Sequence, residues 1–201
     1  MFPLGSVLLP GAVLPLHVFE PRYRQLVADC LAGEPEFGVA LIERGSEVGG
    51  GDQRTAVGTV ARIVQVGELP EGRVALVAVG TRRIRVNAWL PDDPYPLADV
   101  DDWLDTPEEA EALRSLVTSV HRDVRRLAAL AVELGDSAAD TGAEIADDPL
   151  LASYHLAALA PIGPSDRYDL LCAPGPRERL ELLASMVGDV EASLRFRLGD
   201  D

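Results

Sequence analysis

Short apolar runs separated by turn residues mark the first half of the chain, the pattern of short strands. Over residues 55–66 apolar and polar residues alternate at a period of two, as in a strand that buries one face. The predicted strands are residues 7–9, 13–18, 37–43, 55–66, 73–79 and a run that begins just after Gly80. Pro10 and Pro15 interrupt the first two, which therefore belong to an edge or a barrel rim, since proline cannot donate to a sheet ladder. Short strands with regular turns predict a small, closed or partly closed barrel.

One helix is predicted between these strands, from Pro21 to Leu31. Proline suits the first position of a helix because its φ is fixed near the helical value, and Gly33 is placed to end the helix. Residues 44–54 are rich in glycine and polar side chains and predict a loop.

The second half of the chain has the period of helices, and it begins after an acidic, proline-containing segment at residues 92–111. An apolar stripe predicts one helix of about 27 residues, capped by Thr106 with Pro107 first. An acidic loop is predicted next, over residues 135–148. Three further helices are predicted after it, over residues 149–160, 165–173 (capped by Ser165) and 177–198. The sequence therefore predicts an α+β fold. A small β-barrel with one inserted helix spans residues 1–105, and a helical bundle spans residues 106–201.

The charged residues of the chain exclude several classes of function. The net charge is −15, and all 18 cationic side chains are arginines, with no lysine anywhere. A negative field repels phosphate backbones, so we expect no nucleic-acid partner. A P-loop needs a lysine on the terminal phosphates, and a Ser–Lys dyad needs a lysine as base, so neither can be built from this chain.

The remaining composition predicts neither a membrane segment nor a reactive centre. No stretch approaches the ~18–20 apolar residues of a membrane span, and the N-terminal segment has no basic leader, so we expect a cytoplasmic protein with no membrane partner. Cys30 and Cys172 match no disulfide or metal spacing, and the histidines form no ligand motif; we expect no metal and no cofactor. Cys30 and His17 flank one turn, but no catalytic signature accompanies them, so we expect no catalytic residues.

Residues 15–26, "PLHVFEPRYRQL", crowd aromatic and basic side chains where a strand becomes a helix. One interpretation is structural: Phe19 and Tyr23 form a hydrophobic staple across Pro21 that fixes the entry of the helix. The other is functional: His17, Phe19, Arg22 and Tyr23 form a rim that binds extended polypeptide at a strand edge.

A second cluster of basic residues lies at residues 80–86, "GTRRIRV". On a strand, Arg83 and Arg85 share one face while Ile84 and Val86 take the other. This face is either solvated and paired with nearby acids, or it contacts a carboxylate or another small anion, because arginine forks match carboxylates. Both arginines are kept as candidate substrate-binding residues.

Taken together, three segments carry a family resemblance: residues 2–31 with "HVFEPRYR", residues 37–43, and residues 58–86 with "VGTRRIRV". In this order they resemble the N-terminal substrate-binding domain of Lon ATP-dependent proteases, above all the stand-alone bacterial proteins that carry this domain alone. Residues 148–187 are similar to the helices that close that domain. The resemblance implies a PUA-like pseudo-barrel followed by a helical bundle.

The resemblance also implies a function in substrate recognition. In Lon proteases this domain recognises unfolded or tagged polypeptides and delivers them to an ATPase ring and a Ser–Lys protease domain. This sequence ends at Asp201 without an ATPase module and lacks lysine, so we expect a non-catalytic binder of client polypeptides, such as an adaptor or holdase, working with a protease or chaperone. Two alternatives stay open: RNA binding, suggested by the PUA-like fold, and a small-ligand site in the barrel around His17, Tyr23 and Arg83.

Overall fold

A computed structural model describes residues 1–45, 51, 53–134 and 144–199. The chain divides into two compact units, Met1–Leu104 and Asp105–Asp201, which we call the β unit and the helical unit. The predicted division falls one residue further along the chain. Most of the loop predicted at residues 44–54, and most of the acidic loop predicted at 135–148, lie outside the described residues.

The β unit is one mixed sheet with a helix between its second and third strands. Its elements are β1 (Phe2–Leu4), β2 (Val13–Val18), α1 (Pro21–Ala32), β3 (Glu36–Arg44), β4 (Gln53–Leu69), β5 (Arg73–Leu90) and β6 (Leu97–Asp102). The strand order is β1-β3-β4-β5-β2, and β6 pairs with the second half of β5. Only β1 and β3 are parallel among these described pairs. The predicted α+β class is confirmed, with a sheet that is open in its hydrogen bonding.

The core of the β unit lies between the sheet and α1. The Phe2 ring stacks on Tyr23 of α1 at 4.2 Å between centroids and meets Phe37 of β3 at 5.9 Å. Leu26 and Val27, one turn along α1, are also buried in this cluster. The core-facing side chains of the strands therefore pack against the one buried face of α1, as the sequence pattern predicts.

Two of the predicted strand assignments are wrong. Residues 7–9 are not a strand, although Leu8 and Leu9 are buried, and β1 lies instead at Phe2–Leu4. The two strands predicted on either side of Gly80 are one continuous strand, β5, with a register shift against β4 at this point.

Both wrong strand predictions have one cause: the segment before β2 is hydrogen-bonded to the middle of the sheet. The Thr59 hydroxyl donates to the Leu8 carbonyl at 2.6 Å. The Gly11 N–H donates to the Gly80 carbonyl at 2.8 Å, and the Gly80 N–H donates to the Ala12 carbonyl at 2.9 Å. These bonds satisfy the backbone of Gly80 within the strand, so the glycine does not end it.

The helical unit contains four α-helices among its described residues: α2 (Ala110–Glu133), α3 (Pro149–Leu159), α4 (Pro164–Cys172) and α5 (Pro176–Gly199). Helix α2 starts later than predicted, because the Thr106 N–H donates to the Pro174 carbonyl at 2.9 Å and residue 109 takes the capping position. Helix α4 begins at Pro164 with Gly163 as its cap, so the prediction of Ser165 as cap is wrong. No helix in the described ranges is long and apolar enough to cross a membrane.

A buried arginine ties the helices of this unit together. The side chain of Arg179 on α5 is 0% exposed. Its Nη2 donates to Asp105 Oδ1 at 2.5 Å and to the Tyr154 hydroxyl at 2.9 Å, Nη1 donates to Ser153 Oγ at 2.8 Å, and Nε donates to the Leu170 carbonyl at 3.1 Å. The guanidinium also lies 3.7 Å from the Tyr154 ring centroid. One cation therefore bonds four partners from α3, α4 and the segment before α2.

The amino group of Met1 is held inside the β unit. It donates to the Pro96 carbonyl at 2.7 Å. Burial lowers the pKa of this amine from 8.0 to about 6. The first residue of the chain is thus part of the packed structure.

Glu36 at the start of β3 gives the β unit a dependence on pH. Its Oε1 accepts from Arg62 at 2.7 Å and its Oε2 accepts from Arg82 at 2.7 Å. These hydrogen bonds lower the pKa of Glu36, and the bond from Arg82 has the larger effect, followed by the bond from Arg62. As pH falls, Glu36 is protonated first in the unfolded chain, where a Glu pKa is about 4.3, and only at lower pH in the folded chain. The ion pairs of Glu36 therefore stabilise the fold fully above the unfolded pKa, and this stabilisation is lost as pH falls through the folded pKa.

We therefore expect Glu36→Gln to lower the free energy of unfolding by about 1 kcal/mol at pH 7 and to flatten its fall between pH 5 and 3. Urea unfolding at a series of pH values measures both effects. Glu34→Gln is the control, because Glu34 is exposed two residues earlier and makes no ion pair with any described residue. An equal pH slope in Glu36→Gln and the parent protein would contradict this assignment.

Candidate functional site

The candidate site is built around β2, which in the described sheet pairs with β5 alone. Its side chains alternate: Val13, Pro15 and His17 are exposed, whereas Leu14 and Leu16 turn towards the core cluster. Pro15 fits this position because an edge strand tolerates a missing N–H. The predicted edge strand is therefore present, and it presents an apolar, partly polar face to solvent.

A shallow cavity of about 190 Å³, which we call the β2 trough, runs across this face. It is lined by Pro15, Leu16, His17, Gln65, Gly67, Ala75, Leu76 and Val77. In the register of the sheet, His17 lies opposite Ala75, and Ala75 lies opposite Gly67. Two of the three residues in this row have almost no side chain, which produces the depression. A Cβ added to Gly67 would meet no heavy atom within 4 Å, so the space above it is open.

A second cavity, the Phe19 pocket, lies on the other side of β2. It measures about 80 Å³ and is lined by Phe2, Leu4, Leu16, His17, Val18, Phe19, Glu20 and Tyr23. Residues of β1 and of β2, the two ends of the strand order, both contribute to it. Leu16 and His17 line both cavities, so the trough and the pocket are neighbours across one strand.

Four of the six predicted site residues lie together here. His17 is exposed and Phe19 is 55% exposed, whereas Tyr23 is only 3% exposed because it stacks on Phe2. Arg22 lies 4.5 Å from the Tyr23 ring centroid, and its Nε donates to Glu20 Oε2 at 3.1 Å. Phe19 is thus free of the core that holds Tyr23. Both aromatic residues line the Phe19 pocket, so the predicted hydrophobic staple between them stays a prediction.

The other two predicted residues, Arg83 and Arg85, lie elsewhere on β5. Ala75 in the trough and Arg83 are eight residues apart along this strand, which is ~26 Å of extended chain. Arg83 is 2% exposed, and its guanidinium lies 4.4 Å from the Trp103 ring centroid, while that of Arg85 lies 4.2 Å from the same ring. The two arginines share a face, as predicted, and both lie against Trp103; Arg83 is buried there, whereas Arg85 stays exposed. They do not join His17 and Tyr23 in one site.

The described residues offer little for catalysis at this site. The Cys30 thiol donates to the Glu36 carbonyl at 3.2 Å, and burial raises the pKa of this thiol, which disfavours the nucleophilic thiolate. Over the described ranges, no group of three or more His, Cys, Asp or Glu side chains is arranged to hold a metal ion. The chemistry of the trough and pocket is that of apolar contact with a few polar groups.

Sequence reasoning missed the small residues that create the trough. The "ELPEGR" turn fixes the β4–β5 hairpin and so sets Gly67 opposite Ala75. That part could have been derived from the turn, because turn length sets register in a hairpin. The position of His17 beside them required knowledge that β2 pairs with β5.

These features first define a class: an α+β domain with an open six-stranded sheet, an apolar site along an edge strand and a helical unit after it. The chain belongs to the family described as the ATP-dependent protease La (LON) substrate-binding domain, which matches residues 1–189. The match is to this domain and not to the protease or ATPase domains. Family membership supports a module for substrate recognition.

Known relatives agree with this assignment. Lon protease 2 of Sorangium cellulosum is 30% identical over 205 residues, which cover 96% of this chain and 24% of that protein. The crystal structure of a Lon N-terminal domain protein from Xanthomonas campestris is 31% identical with a TM-score of 0.66, covering 92% of this chain and 95% of that one. The N-terminal domain of a Mycobacterium avium complex Lon protease, 21% identical with a TM-score of 0.64, shares the fold. The chain spans 15% to 24% of the first curated Lon proteases that it matches.

Proposed function

We propose that this chain is a non-catalytic polypeptide-binding module that holds unfolded or exposed apolar segments of client proteins along β2. The observation that carries the proposal is the continuity of the β2 trough and the Phe19 pocket through Leu16 and His17. Membership of a substrate-binding family supports the choice of a polypeptide as ligand. The six predicted residues then divide, with His17, Phe19, Arg22 and Tyr23 at the site and Arg83 and Arg85 outside it.

An extended segment suits the shape of this site. Successive side chains of an extended chain point in opposite directions, and alternate side chains are ~7 Å apart. One apolar side chain fits the shallow floor above Gly67 and Ala75, while a neighbour packs against the exposed ring of Phe19. The edge position of β2 leaves room for a client beside the strand. The His17 ring, which lines both cavities, supplies a polar group between the two apolar contacts.

The first test removes the exposed aromatic ring. Phe19→Ala is expected to weaken binding of a permanently unfolded protein, reduced and carboxymethylated lactalbumin, by about 5- to 30-fold, because aromatic anchors dominate binding energy. Phe196→Ala is the matched control: this phenylalanine is 72% exposed but lies on α5. Fluorescence anisotropy measures the affinities. Equal losses in the two variants would remove Phe19 from the site.

A second variant fills the trough without disturbing the fold. Gly67→Trp places a ring in the open space above Gly67 and should abolish most of the binding at unchanged thermal stability. Gly188→Trp on α5 is its control, since a Cβ there also meets no heavy atom within 4 Å. Full binding by Gly67→Trp would overturn the proposed location. The client is expected to stay intact on a gel after prolonged incubation, and its cleavage by the purified chain would overturn the non-catalytic assignment.

No observation favours either alternative function. The net charge of −15 opposes RNA binding, and the small-ligand site envisaged around His17, Tyr23 and Arg83 is divided along β5. A protease or chaperone that receives the client stays a prediction based on the resemblance.

A further inference from the structure

The helical unit contains a cavity of about 390 Å³ that is distinct from the site on β2. Its walls come from Ala131 of α2, Val190 and Leu194 of α5, and Ile162 in the connection from α3 to α4. The volume lies in the range of small-molecule sites, ~300–1,000 Å³. Apolar side chains dominate the lining, and Arg167 of α4 is the one charged residue among the described residues that line it. We call it the Arg167 cavity.

Arg167 is incompletely bonded in this apolar setting. Its Nη2 donates to the Ala160 carbonyl at 3.1 Å. Its Nε is buried and has no hydrogen-bond partner within the described part of the chain. Among the described residues, no carboxylate forms an ion pair with it. Burial lowers the pKa of Arg167, which reflects the cost of keeping an unpaired cation out of water.

A buried donor without a partner is costly, and a charged one more so. Arg167 is partly buried as a whole, and its Nε is fully buried; by comparison, the fully buried Arg179 of this unit has all three of its nitrogens hydrogen-bonded. Arg167 therefore stands out as a cation whose remaining partner is to be supplied from outside. The arginine fork matches a carboxylate, and an oxygen accepting from Nε would leave the bond to Ala160 in place.

We propose that the Arg167 cavity binds a monocarboxylate with a short aliphatic body. The carboxylate pairs with Arg167, and the aliphatic part fills the space between Ile162, Val190 and Leu194. Helix α4 starts at the cavity with Gly163 as its cap, so its dipole adds a positive contribution. Asp166 in the first turn of α4 opposes this contribution and limits the ligand to a single negative charge. This inference does not depend on the proposed function of β2.

Such a ligand can be a small carboxylic acid or the last residue of a polypeptide with a free α-carboxylate. Hexanoate represents the first source, and N-acetyl-leucine the second. Hexanol and N-acetyl-leucinamide are their uncharged counterparts. Calorimetric titration of the full chain with these four probes is expected to show binding of at least one acid, at least tenfold tighter than its uncharged counterpart.

Two arginine variants distinguish a loss of acid binding from a loss of folding. Arg167→Met keeps the side-chain volume and removes the charge, so it should abolish acid binding while thermal stability stays equal or rises, because an unpaired buried charge is gone. Arg122→Met, on the exposed surface of α2, is the control and should bind like the parent chain. Binding of hexanoate alone assigns small acids as ligand, and binding of N-acetyl-leucine alone assigns a polypeptide C-terminus. Absence of binding by both acids, equal binding of acids and uncharged counterparts, or full binding by Arg167→Met would overturn the proposal.

Discussion

Arg179→Met is expected to lower the free energy of unfolding of the helical unit by about 3–5 kcal/mol, the usual result of breaking a buried ion pair from one side. The substitution leaves Asp105, whose side chain is 13% exposed, without its cation. It also removes one hydrogen bond each from Ser153 Oγ and the Leu170 carbonyl. These groups keep their other hydrogen bonds, to Leu150 and from Ala173, but each loss of a charge-assisted bond in the interior costs free energy.

The same substitution at the surface provides the comparison. Arg114→Met breaks an exposed pair with Glu111 and should cost less than about 1 kcal/mol. Adding Asp105→Asn to Arg179→Met should recover part of the loss, because it removes the uncompensated charge. Urea unfolding followed by helical circular dichroism measures all variants, and hydrogen exchange of α3 and α5 locates the effect. A loss no larger than that of Arg114→Met would show that the network does not hold the helices together.

Gly80→Ala is expected to lower the free energy of unfolding of the β unit by about 2–3 kcal/mol through overpacking. A Cβ at Gly80 would run into the backbone carbonyl of Leu9 and lie 3.2 Å from Thr59 Cγ2. The Leu9 carbonyl belongs to the segment that is bonded to Gly80 on both sides, so neither can move without breaking those bonds. Because this segment leads directly into β2, the variant should also weaken client binding.

Gly67→Ala is the matched control, since it is the same substitution in a neighbouring strand. A Cβ at Gly67 meets nothing within 4 Å, so stability should stay the same or rise by up to about 1 kcal/mol as the unfolded chain loses freedom. Thermal and urea unfolding of both variants provide the comparison. Equal stability of Gly80→Ala and the parent chain would mean that the segment before β2 is free to shift.

Local patterns in the sequence predicted most elements of the fold. An apolar run located β3, period-two alternation located β4, and proline at the first helical position located α1; the predicted start of α3 at Pro149 is also correct. The same proline rule also explains α4 and α5, at Pro164 and Pro176, where the predicted starts were one residue late. The larger errors have long-range causes. The delayed start of α2 depends on a bond from Thr106 to Pro174, and the unbroken β5 depends on bonds from Gly80 to Gly11 and Ala12.

The candidate site could also be predicted only where its residues are close together in the sequence. The strand-to-helix junction at His17, Phe19 and Tyr23 is contiguous in sequence, so its residues were found together. The floor of the trough, Gly67 and Ala75, becomes part of the site only when β2 pairs with β5. Arg83 was assigned to a solvated or anion-binding face because the sequence does not show that Trp103 would cover it.

The buried amino group of Met1 has a practical consequence for finding clients. No lysine is present among the 201 residues, and the Met1 amine donates to the Pro96 carbonyl. Amine-reactive cross-linkers therefore have no lysine to react with on these residues and are poorly suited to capturing complexes. A carbodiimide, which joins a client's lysine to a carboxylate, can use the 33 acidic residues of the chain. A covalent bond formed at Glu20 beside the Phe19 pocket, or at exposed Glu68 next to Gly67, would be the result expected from the proposed site on β2.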